Sequence, residues 1–215
     1  RLGKYFIGTS NVSLGQKLNI AIKGTLAHET DMVFSGIFRA SDDKAGTFVS
    51  HDKMLEMWYQ EYGKALSVAL TDTYGDDFFF EHFTKDQAEK WIGLRQDSGD
   101  PIEFGKKAIA YYKKMEIDPK EKTLVFSDGL TVDEIIRIHK EFHGKVKMIF
   151  GWGTTLTNDV GFQTMSLIVK ATQANGHGTA KLSNNIAKAV GKDEDKSRAI
   201  RMANYRSTYN KAPQV

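Results

Sequence analysis

Residues 91–104 read WIGLRQDSGDPIEF, a stretch in which an apolar run meets a charged bend and then a proline. The run 91–94 predicts a buried strand. Asp100 before Pro101 predicts a helix start, because aspartate caps helix N-termini and proline is favoured at the first helical position. Local structure does not explain four other residues of the bend, which are Arg95, Asp97, Ser98 and Gly99.

The same order of strand, polar bend and helix repeats along the chain. Apolar stretches typical of strands cover 5–8, 20–24, 66–71, 92–95, 123–127 and 146–150. Apolar residues at helical spacing mark 102–115, and a capping-box sequence opens 131–142. Strands that alternate with helices imply a parallel sheet, because a parallel pair needs a crossover connection. We therefore predict an α/β fold, with a parallel (β/α) barrel over residues 1–183 as the first choice.

Residues 184–215 predict a basic, helical C-terminal tail. From residue 181 onward there are eight Lys or Arg and three Asp or Glu, a net charge of +5. Such a tail is typical of the solvated face of a terminal helix. Contact with a phosphate or an acidic partner surface is the alternative.

Composition argues against several classes of protein. The 215 residues are 40% hydrophobic and 27% charged, as in ordinary globular domains. No apolar run approaches the roughly 18–20 residues of a membrane helix. The net charge of +3 is too small to indicate nucleic-acid binding. Without cysteine the chain can form no disulfide and no cysteine metal site. We therefore expect neither a membrane nor a nucleic-acid partner.

Small, hydroxyl-bearing or acidic residues follow each of the predicted strands. In a parallel barrel the carboxyl ends of the strands meet at one mouth, where active sites are built. Any one of these loops is weak evidence, since Asp and Gly are common turn residues. Together the loops predict one polar site.

Two kinds of loop carry groups suited to a phosphorylated sugar. Gly151 and Gly153 of GWGT could donate hydrogen bonds from their backbone N–H groups to an anion, and Thr154 could add a hydroxyl. A plain glycine turn explains that motif equally well. Asp97 and Asp128 suit sugar hydroxyls, or Mg²⁺ bound through water, although each alone is more often a turn aspartate.

His28 is the histidine that most directly follows a predicted strand. A lone histidine is more often structural or solvent-facing. Asp72, at the end of the next strand, could hold its ring in one tautomer, so that His28 acts as a base or as a nucleophile toward phosphorus. Arg95 could bind a carboxylate or phosphate through a bidentate pair of hydrogen bonds.

The motifs FIGTSNV, GTLAHE, ALTDTYG, GLRQDSGDP, LVFSDGL, FGWGT and AKLS follow one another in an order and spacing that resemble the nicotinate phosphoribosyltransferase family. The resemblance runs from about residue 5 to about residue 182. It implies a barrel of the type II phosphoribosyltransferase kind, incomplete in this chain. It implies transfer of phosphoribosyl from 5-phosphoribosyl 1-pyrophosphate to nicotinate, forming nicotinate mononucleotide and pyrophosphate in NAD salvage. ATP as co-substrate, Mg²⁺ and a phosphohistidine are implied as well.

The resemblance also implies roles for individual residues. His28 would carry the phosphoryl group with Asp72 in support, and Asp97 would face the ribose. The substrate-binding residues implied are Thr25 near the pyridine ring, Arg95, Ser98 and Gly99 on the nucleotide, and Asp128, Gly129, Gly151, Gly153 and Thr154 at the 5′-phosphate. No direct metal ligand is expected, and Mg²⁺ would be held through water near Asp97 and Asp128.

Ser10 bears on the choice of base. The related nicotinamide phosphoribosyltransferase resembles this chain but has an aspartate at the position matching Ser10. An aspartate would repel the carboxylate of nicotinate by on the order of 1–4 kcal/mol, whereas serine can donate a hydrogen bond. We therefore expect the acid, not the amide, as substrate. A nicotinamide-using enzyme and a non-catalytic nucleotide-binding subunit are the alternatives.

Family sequences carry a further segment before residue 5. This implies either that the chain is a fragment or that another chain supplies the segment. The resemblance further implies a cytoplasmic homodimer with a shared active site.

Overall fold

The computed structural model describes residues 3–158, 160–163 and 167–206. The elements in chain order are α1 (Val12–Leu18), α2 (His28–Ile37), α3 (Arg39–Ala45), α4 (Phe48–Tyr62), β1 (Val68–Leu70), α5 (Asp76–His82), α6 (Lys85–Lys90), β2 (Gly93–Gln96), α7 (Pro101–Lys114), β3 (Thr123–Phe126), α8 (Val132–Phe142), β4 (Lys147–Phe150), α9 (Thr154–Thr157), β5 (Gln173–Ala174), β6 (His177–Gly178) and α10 (Asp193–Met202). Short 3₁₀ helices cover Gly3–Tyr5, Lys64–Leu66, Pro119–Glu121 and Ile186–Lys188.

A four-stranded parallel sheet, ordered β1-β2-β3-β4, lies at the centre. Its register places Leu94 beside both Ala69 and Leu124. Ala69, Leu94 and Leu124 are all fully buried, as expected for a parallel sheet covered on both faces. The structure thus confirms the α/β class and the four strands predicted from residue 66 onward.

The helix starts that the sequence predicts are also confirmed. The Asp100 side chain accepts hydrogen bonds from the backbone N–H groups of Ile102 and Glu103, and Pro101 is the first residue of α7. The Thr131 side chain caps α8 by accepting from the N–H of Glu134. These caps set where each helix leaves the loop that follows a strand.

The two strands predicted at 5–8 and 20–24 are wrong. Tyr5 ends a 3₁₀ helix, and a single parallel bridge, Thr9 to Ile22, joins the two segments. Most apolar side chains of these segments are exposed, 76% for Tyr5 and 46% for Ile22, so little packing holds them in a sheet. The sheet of the described residues is therefore open, and the predicted closed barrel is not confirmed.

Large aromatic side chains fill the main core between the sheet and its helices. Trp91, Tyr112, Phe126 and Phe142 are each no more than 1% exposed. The rings of Phe126 on β3 and Phe142 on α8 stack with their centroids 6.0 Å apart. This packing fixes the helices against the sheet and so fixes the direction of the loops at its carboxyl edge.

The C-terminal part of the described chain packs back onto the loop after β1. The backbone N–H of Leu182 donates to the carbonyl of Thr73 at 2.7 Å. A second apolar cluster joins Tyr74 and Phe78 to Ala199 and Ala203 on and beside α10. The predicted tail thus contains a helix, while its residues 207–215 lie outside the described ranges. A boundary at residue 183 stays a prediction.

Within the described ranges, no helix is long and apolar enough to cross a membrane.

Candidate active site

Asp72 lies two residues beyond the end of β1 and is fully buried. One carboxylate oxygen, Oδ1, is 2.9 Å from Nε2 of His28, the first residue of α2. The other oxygen, Oδ2, accepts from the hydroxyl of Ser98 at 2.5 Å and from that of Ser183 at 3.2 Å. The ammonium of Lys181 is 3.8 Å from the same oxygen. The predicted pair of His28 and Asp72 is therefore formed, and it is buried.

The charge state of Asp72 follows from these contacts. Burial acts to raise the pKa of its carboxyl, but the hydrogen bond from His28 and the charges of His28 and Lys181 hold the pKa below its ordinary value. Asp72 is therefore an anion across the physiological range. Such an anion can hold the proton of His28 on Nε2 and stabilise positive charge on the ring.

Asp97 lies beyond the end of β2 in a second network. Its Oδ1 accepts from Arg95 Nη2 and from the Ser127 hydroxyl, both at 2.8 Å. Arg95 Nε donates to Ser127 Oγ at 2.9 Å, and Arg95 Nη1 donates to Thr25 Oγ1 at 2.9 Å. The other oxygen of Asp97 is 3.7 Å from His28 Nε2. The structure thus brings Thr25, Arg95 and Asp97 together beside His28.

The loop after β3 places Asp128 near this network. Lys188 Nζ donates to Asp128 Oδ1 at 2.8 Å. Burial raises the pKa of Asp128, and the Lys188 hydrogen bond opposes that rise. Gly129 has a φ of 57°, a left-handed conformation that glycine adopts readily.

Gly151 follows β4 and approaches the loop after β3 closely. A Cβ at this position would lie 3.1 Å from the Cβ of Ser127, so a larger residue would press the two loops apart. Gly153 and Thr154 begin the short helix α9. The predicted phosphate residues of both loops therefore lie at the same edge of the sheet.

Ser98 and Gly99, in the bend after β2, make hydrogen bonds to other residues of the protein interior. Ser98 is buried, and its hydroxyl donates a hydrogen bond to Asp72. Gly99 has a φ of 81°, and its carbonyl accepts from the amide of Gln96 at 3.2 Å. Contact of these two residues with a nucleotide stays a prediction.

Ser10 stands apart from these contacts. It is exposed, and none of the hydrogen bonds among the described residues links its side chain to the site. Its role in the choice of base also stays a prediction.

Sequence reasoning missed several residues of the site. Ser127 was within the quoted motif LVFSDGL, directly before Asp128, and its position at a strand end was the available signal. Lys181 and Ser183 were both within the quoted motif AKLS, but no spacing rule connects them with Asp72. Asn184 donates its backbone N–H to Ser98 Oγ at 3.1 Å and its side-chain amide to Asp76 Oδ2 at 2.7 Å.

His28, Asp72 and Asp97 could in principle bind a metal ion, because one potential ligand atom of each lies within 4.8 Å of the others. Both oxygens of Asp72 already accept hydrogen bonds, however, and His28 Nε2 takes part in one of them. Asp97 and Asp128 are better placed for Mg²⁺ held through water, because their side chains are 21% and 28% exposed.

The assembled groups suit nucleophilic and electrostatic catalysis on a charged substrate. A histidine oriented by a buried carboxylate can attack phosphorus. A carboxylate fixed by arginine and serine can stabilise positive charge that develops on a sugar. Glycine-rich loops at the same edge can offer N–H groups to a phosphate.

Comparison with known proteins places the chain in a family. Residues 2–211 match the family model described as the nicotinate phosphoribosyltransferase (NAPRTase) family. A nicotinate phosphoribosyltransferase of Acinetobacter baylyi is 44% identical over 185 residues, which cover 86% of this chain and 44% of that protein. One of Chromobacterium violaceum is 42% identical, over 90% of this chain and 46% of that protein. The chain thus spans under half the length of these relatives.

Solved structures agree. The crystal structure of nicotinate phosphoribosyltransferase from Vibrio cholerae superposes with a TM-score of 0.85 at 32% identity, over 93% of this chain and 48% of that one. The enzyme from Porphyromonas gingivalis superposes with a TM-score of 0.85 at 34% identity, over 94% of this chain and 52% of that one. Together with the family match, these likenesses show that the chain belongs to the nicotinate phosphoribosyltransferase family.

Proposed function

We propose that this protein transfers phosphoribosyl from 5-phosphoribosyl 1-pyrophosphate to nicotinate, with ATP hydrolysis coupled through a phosphohistidine at His28. The products are nicotinate mononucleotide and pyrophosphate, and the reaction serves NAD biosynthesis by salvage. The observation that carries the proposal is the buried pair of His28 and Asp72, which lies beside Asp97 at the carboxyl edge of the sheet. Binding of a nucleotide alone would not require such a pair.

The contacts of His28 support Nδ1 as the atom that accepts the phosphoryl group. Nε2 is hydrogen-bonded to Asp72, whereas Nδ1 makes no hydrogen bond to any other residue in the described part of the chain. The lone pair of Nδ1 forms the bond to the γ-phosphorus of ATP, and ADP leaves with the electron pair of the broken O–P bond. The positive charge on the ring then faces the Asp72 carboxylate, which stabilises it.

Asp97 is suited to the phosphoribosyl transfer step. The pyridine nitrogen of nicotinate forms a bond to the anomeric carbon, and pyrophosphate leaves with the electron pair of the C–O bond. Positive charge develops on the sugar during this substitution, and the fixed carboxylate of Asp97 stabilises it. Asp128, Gly129, Gly151, Gly153 and Thr154 would hold the 5′-phosphate and so hold that carbon against the nitrogen. Mg²⁺, held through water near Asp97 and Asp128, would neutralise charge on the leaving pyrophosphate.

The assembly of the active enzyme is also part of the proposal. We expect a cytoplasmic homodimer with a shared active site, and a segment preceding residue 5, in the same or another chain, that completes the pyridine site. The match to relatives of about twice this length supports a contribution from further residues.

The proposal is tested by product formation with Mg-ATP, 5-phosphoribosyl 1-pyrophosphate and either nicotinate or nicotinamide in parallel reactions. Nicotinate mononucleotide as the main product supports both the reaction and the choice of base. Nicotinamide mononucleotide would identify a nicotinamide-using enzyme. No product from either base, with nucleotide binding retained, would support a non-catalytic binding subunit.

A further inference from the structure

Residues 181–184, which we term the closing segment, surround the side of Asp72 that faces away from His28. Lys181, Ser183 and Asn184 are polar residues, yet each is no more than 5% exposed. Lys181 and Ser183 both approach Asp72 Oδ2, at 3.8 and 3.2 Å. The carboxylate is therefore held by His28 on one oxygen and, on the other, by Ser98 together with the closing segment.

The backbone of the closing segment is held in an unusual conformation. Ser183 has a φ of 66°, a left-handed value that is uncommon for a residue with a side chain. Neighbouring contacts maintain it: Leu182 N–H donates to the Thr73 carbonyl at 2.7 Å, and the Tyr205 hydroxyl donates to the Ser183 carbonyl at 2.7 Å. Backbone strain that the surroundings maintain is concentrated at functional sites. Here it aims the Ser183 hydroxyl at Asp72.

Lys181 differs from an ordinary buried lysine. Lys122, which is buried to a similar degree, donates to the backbone carbonyls of Glu89 and Trp91, both at 2.9 Å. Lys181 instead has the carboxylate of Asp72 as its nearest charged partner. Burial lowers the pKa of Lys181, and the negative charges of Asp72 and Asp97 oppose that effect. An ammonium kept at this depth compensates the charge of Asp72.

We infer that Lys181 and Ser183 are positioning residues that hold Asp72 Oδ2, so that Oδ1 stays on His28 Nε2 and Nδ1 stays free to take the phosphoryl group. Neither residue has to touch a substrate for this role. The inference rests on the proposed function for the phosphoryl step, whereas the orientation and tautomer of His28 can be measured without any turnover.

The test compares Lys181→Met, Ser183→Ala and the matched control Lys122→Met in the full-length protein. Ring ¹⁵N chemical shifts of His28 report which nitrogen carries the proton, and labelling with γ-³²P-ATP reports the rate of phosphorylation. Loss of the Lys181 charge or of the Ser183 hydrogen bond weakens the hold on Asp72 and slows the chemical step. We therefore expect labelling to fall about tenfold or more in Lys181→Met and about fivefold in Ser183→Ala. The His28 shifts should move in both variants. Lys181→Arg should recover part of the rate.

The control separates positioning from folding. Lys122→Met should lower the melting temperature yet leave the His28 shifts and the labelling of folded protein unchanged. Wild-type shifts and labelling in folded Lys181→Met and Ser183→Ala would overturn the inference, and Ser183→Ala decides alone if Lys181→Met does not fold. If ATP fails to label the wild type, the proposed ATP coupling fails. The ring shifts then decide whether the closing segment positions His28: movement supports the inference and its absence overturns it.

Discussion

His28 is the residue on which ATP coupling depends in the proposed mechanism, because its Nδ1 receives the phosphoryl group. We expect His28→Asn to abolish ATP consumption while a slow, uncoupled phosphoribosyl transfer remains. The measurement is the ratio of ATP consumed to nicotinate mononucleotide formed. His51→Asn is the matched control, because His51 is also buried and paired with a carboxylate, Asp31, at 2.8 Å. Equal ATP consumption per product in His28→Asn and wild type would remove His28 from the mechanism.

Ser10 controls the choice of base in our proposal, through the absence of a negative charge near nicotinate. Because Ser10 is exposed, the repulsion between an aspartate there and the carboxylate of nicotinate falls at the low end of the 1–4 kcal/mol range, at about 1 kcal/mol. We expect Ser10→Asp to shift the ratio of kcat/KM for nicotinate over nicotinamide about fivefold toward the amide. Ser13→Asp adds the same charge at an exposed position of α1 and should leave the ratio unchanged. An unaltered ratio in Ser10→Asp would contradict the assignment.

Asp76 lies four residues after Asp72, and the pKa of its carboxyl is raised, whereas that of Asp72 is lowered. Burial, together with the charge of Asp72, raises the pKa of Asp76 to about 6. The folded state therefore keeps a proton that the unfolded state loses, and the free energy of unfolding falls as the pH rises from about 4 to about 6. Asparagine at this position can still accept from Asn184 and donate to the Thr71 hydroxyl, which can turn to the Arg95 carbonyl at 3.2 Å.

We therefore expect Asp76→Asn to be more stable than wild type at neutral pH, by on the order of 2 kcal/mol. The advantage should disappear near pH 4, within about one unit. Urea unfolding across this pH range is the measurement. Asp77→Asn, with the same change at a half-exposed neighbour, is the control. A stability difference that does not vary with pH would show that Asp76 does not titrate as described.

The site shows which residues a sequence can predict. Asp72, Asp97 and Asp128 were predictable because each follows a strand, and the carboxyl ends of parallel strands meet at one edge. Ser183 was not, because it reaches Asp72 across 111 residues of sequence through the path of the whole chain. The family motifs narrowed the choice of residues, but the contacts of the closing segment required the folded structure.

At the scale of elements, the strand–helix repeat after residue 66 was predictable from apolar runs and caps, because β1, β2 and β3 are largely buried and β4 is partly buried. The two earlier runs have similar composition but lack neighbours that would cover them. An apolar run predicts burial, and it becomes a strand only where the surrounding chain provides a partner. This is why the prediction failed at 5–8 and 20–24.

Helices α7 and α8 meet at Gly105, and this contact makes a second stability prediction. A Cβ on Gly105 would lie 2.3 Å from the Phe142 ring, which packs in turn on Phe126 of β3. Alanine favours a helix over glycine by about 1 kcal/mol, but overpacking a tight contact costs about 1–3 kcal/mol. We expect the clash to prevail, so that Gly105→Ala lowers the free energy of unfolding.

Two further variants isolate the cause. Ala110→Gly on the exposed face of the same helix measures helix propensity alone and should cost about 1 kcal/mol. Gly105→Ala combined with Phe142→Leu should recover part of the lost stability if the ring is what the new methyl group meets. Chemical denaturation measures all of these variants. A Gly105→Ala variant more stable than wild type would contradict the described packing of α7 on α8.

For the molecule as a whole, the exposed apolar side chains near the start of the described chain and around residues 160–169 are the most consequential feature. Tyr5, Phe162 and Leu167 are 76%, 79% and 83% exposed, and several of their neighbours are also uncovered. Apolar surface of this kind marks places where another chain or segment packs. We therefore expect the 215-residue chain, expressed alone, to self-associate at micromolar concentrations, with association driven by these side chains.

Replacing Tyr5, Phe162 and Leu167 together with serine should reduce that association, because it removes apolar area without touching the core. Sedimentation velocity over a concentration series is the measurement. Serine at three exposed charged positions, Glu121, Lys140 and Lys147, is the control and should leave association unchanged. If both triple variants sediment like the parent chain, the exposed side chains do not drive association. A reduction confined to the apolar variant would show that these side chains drive the association.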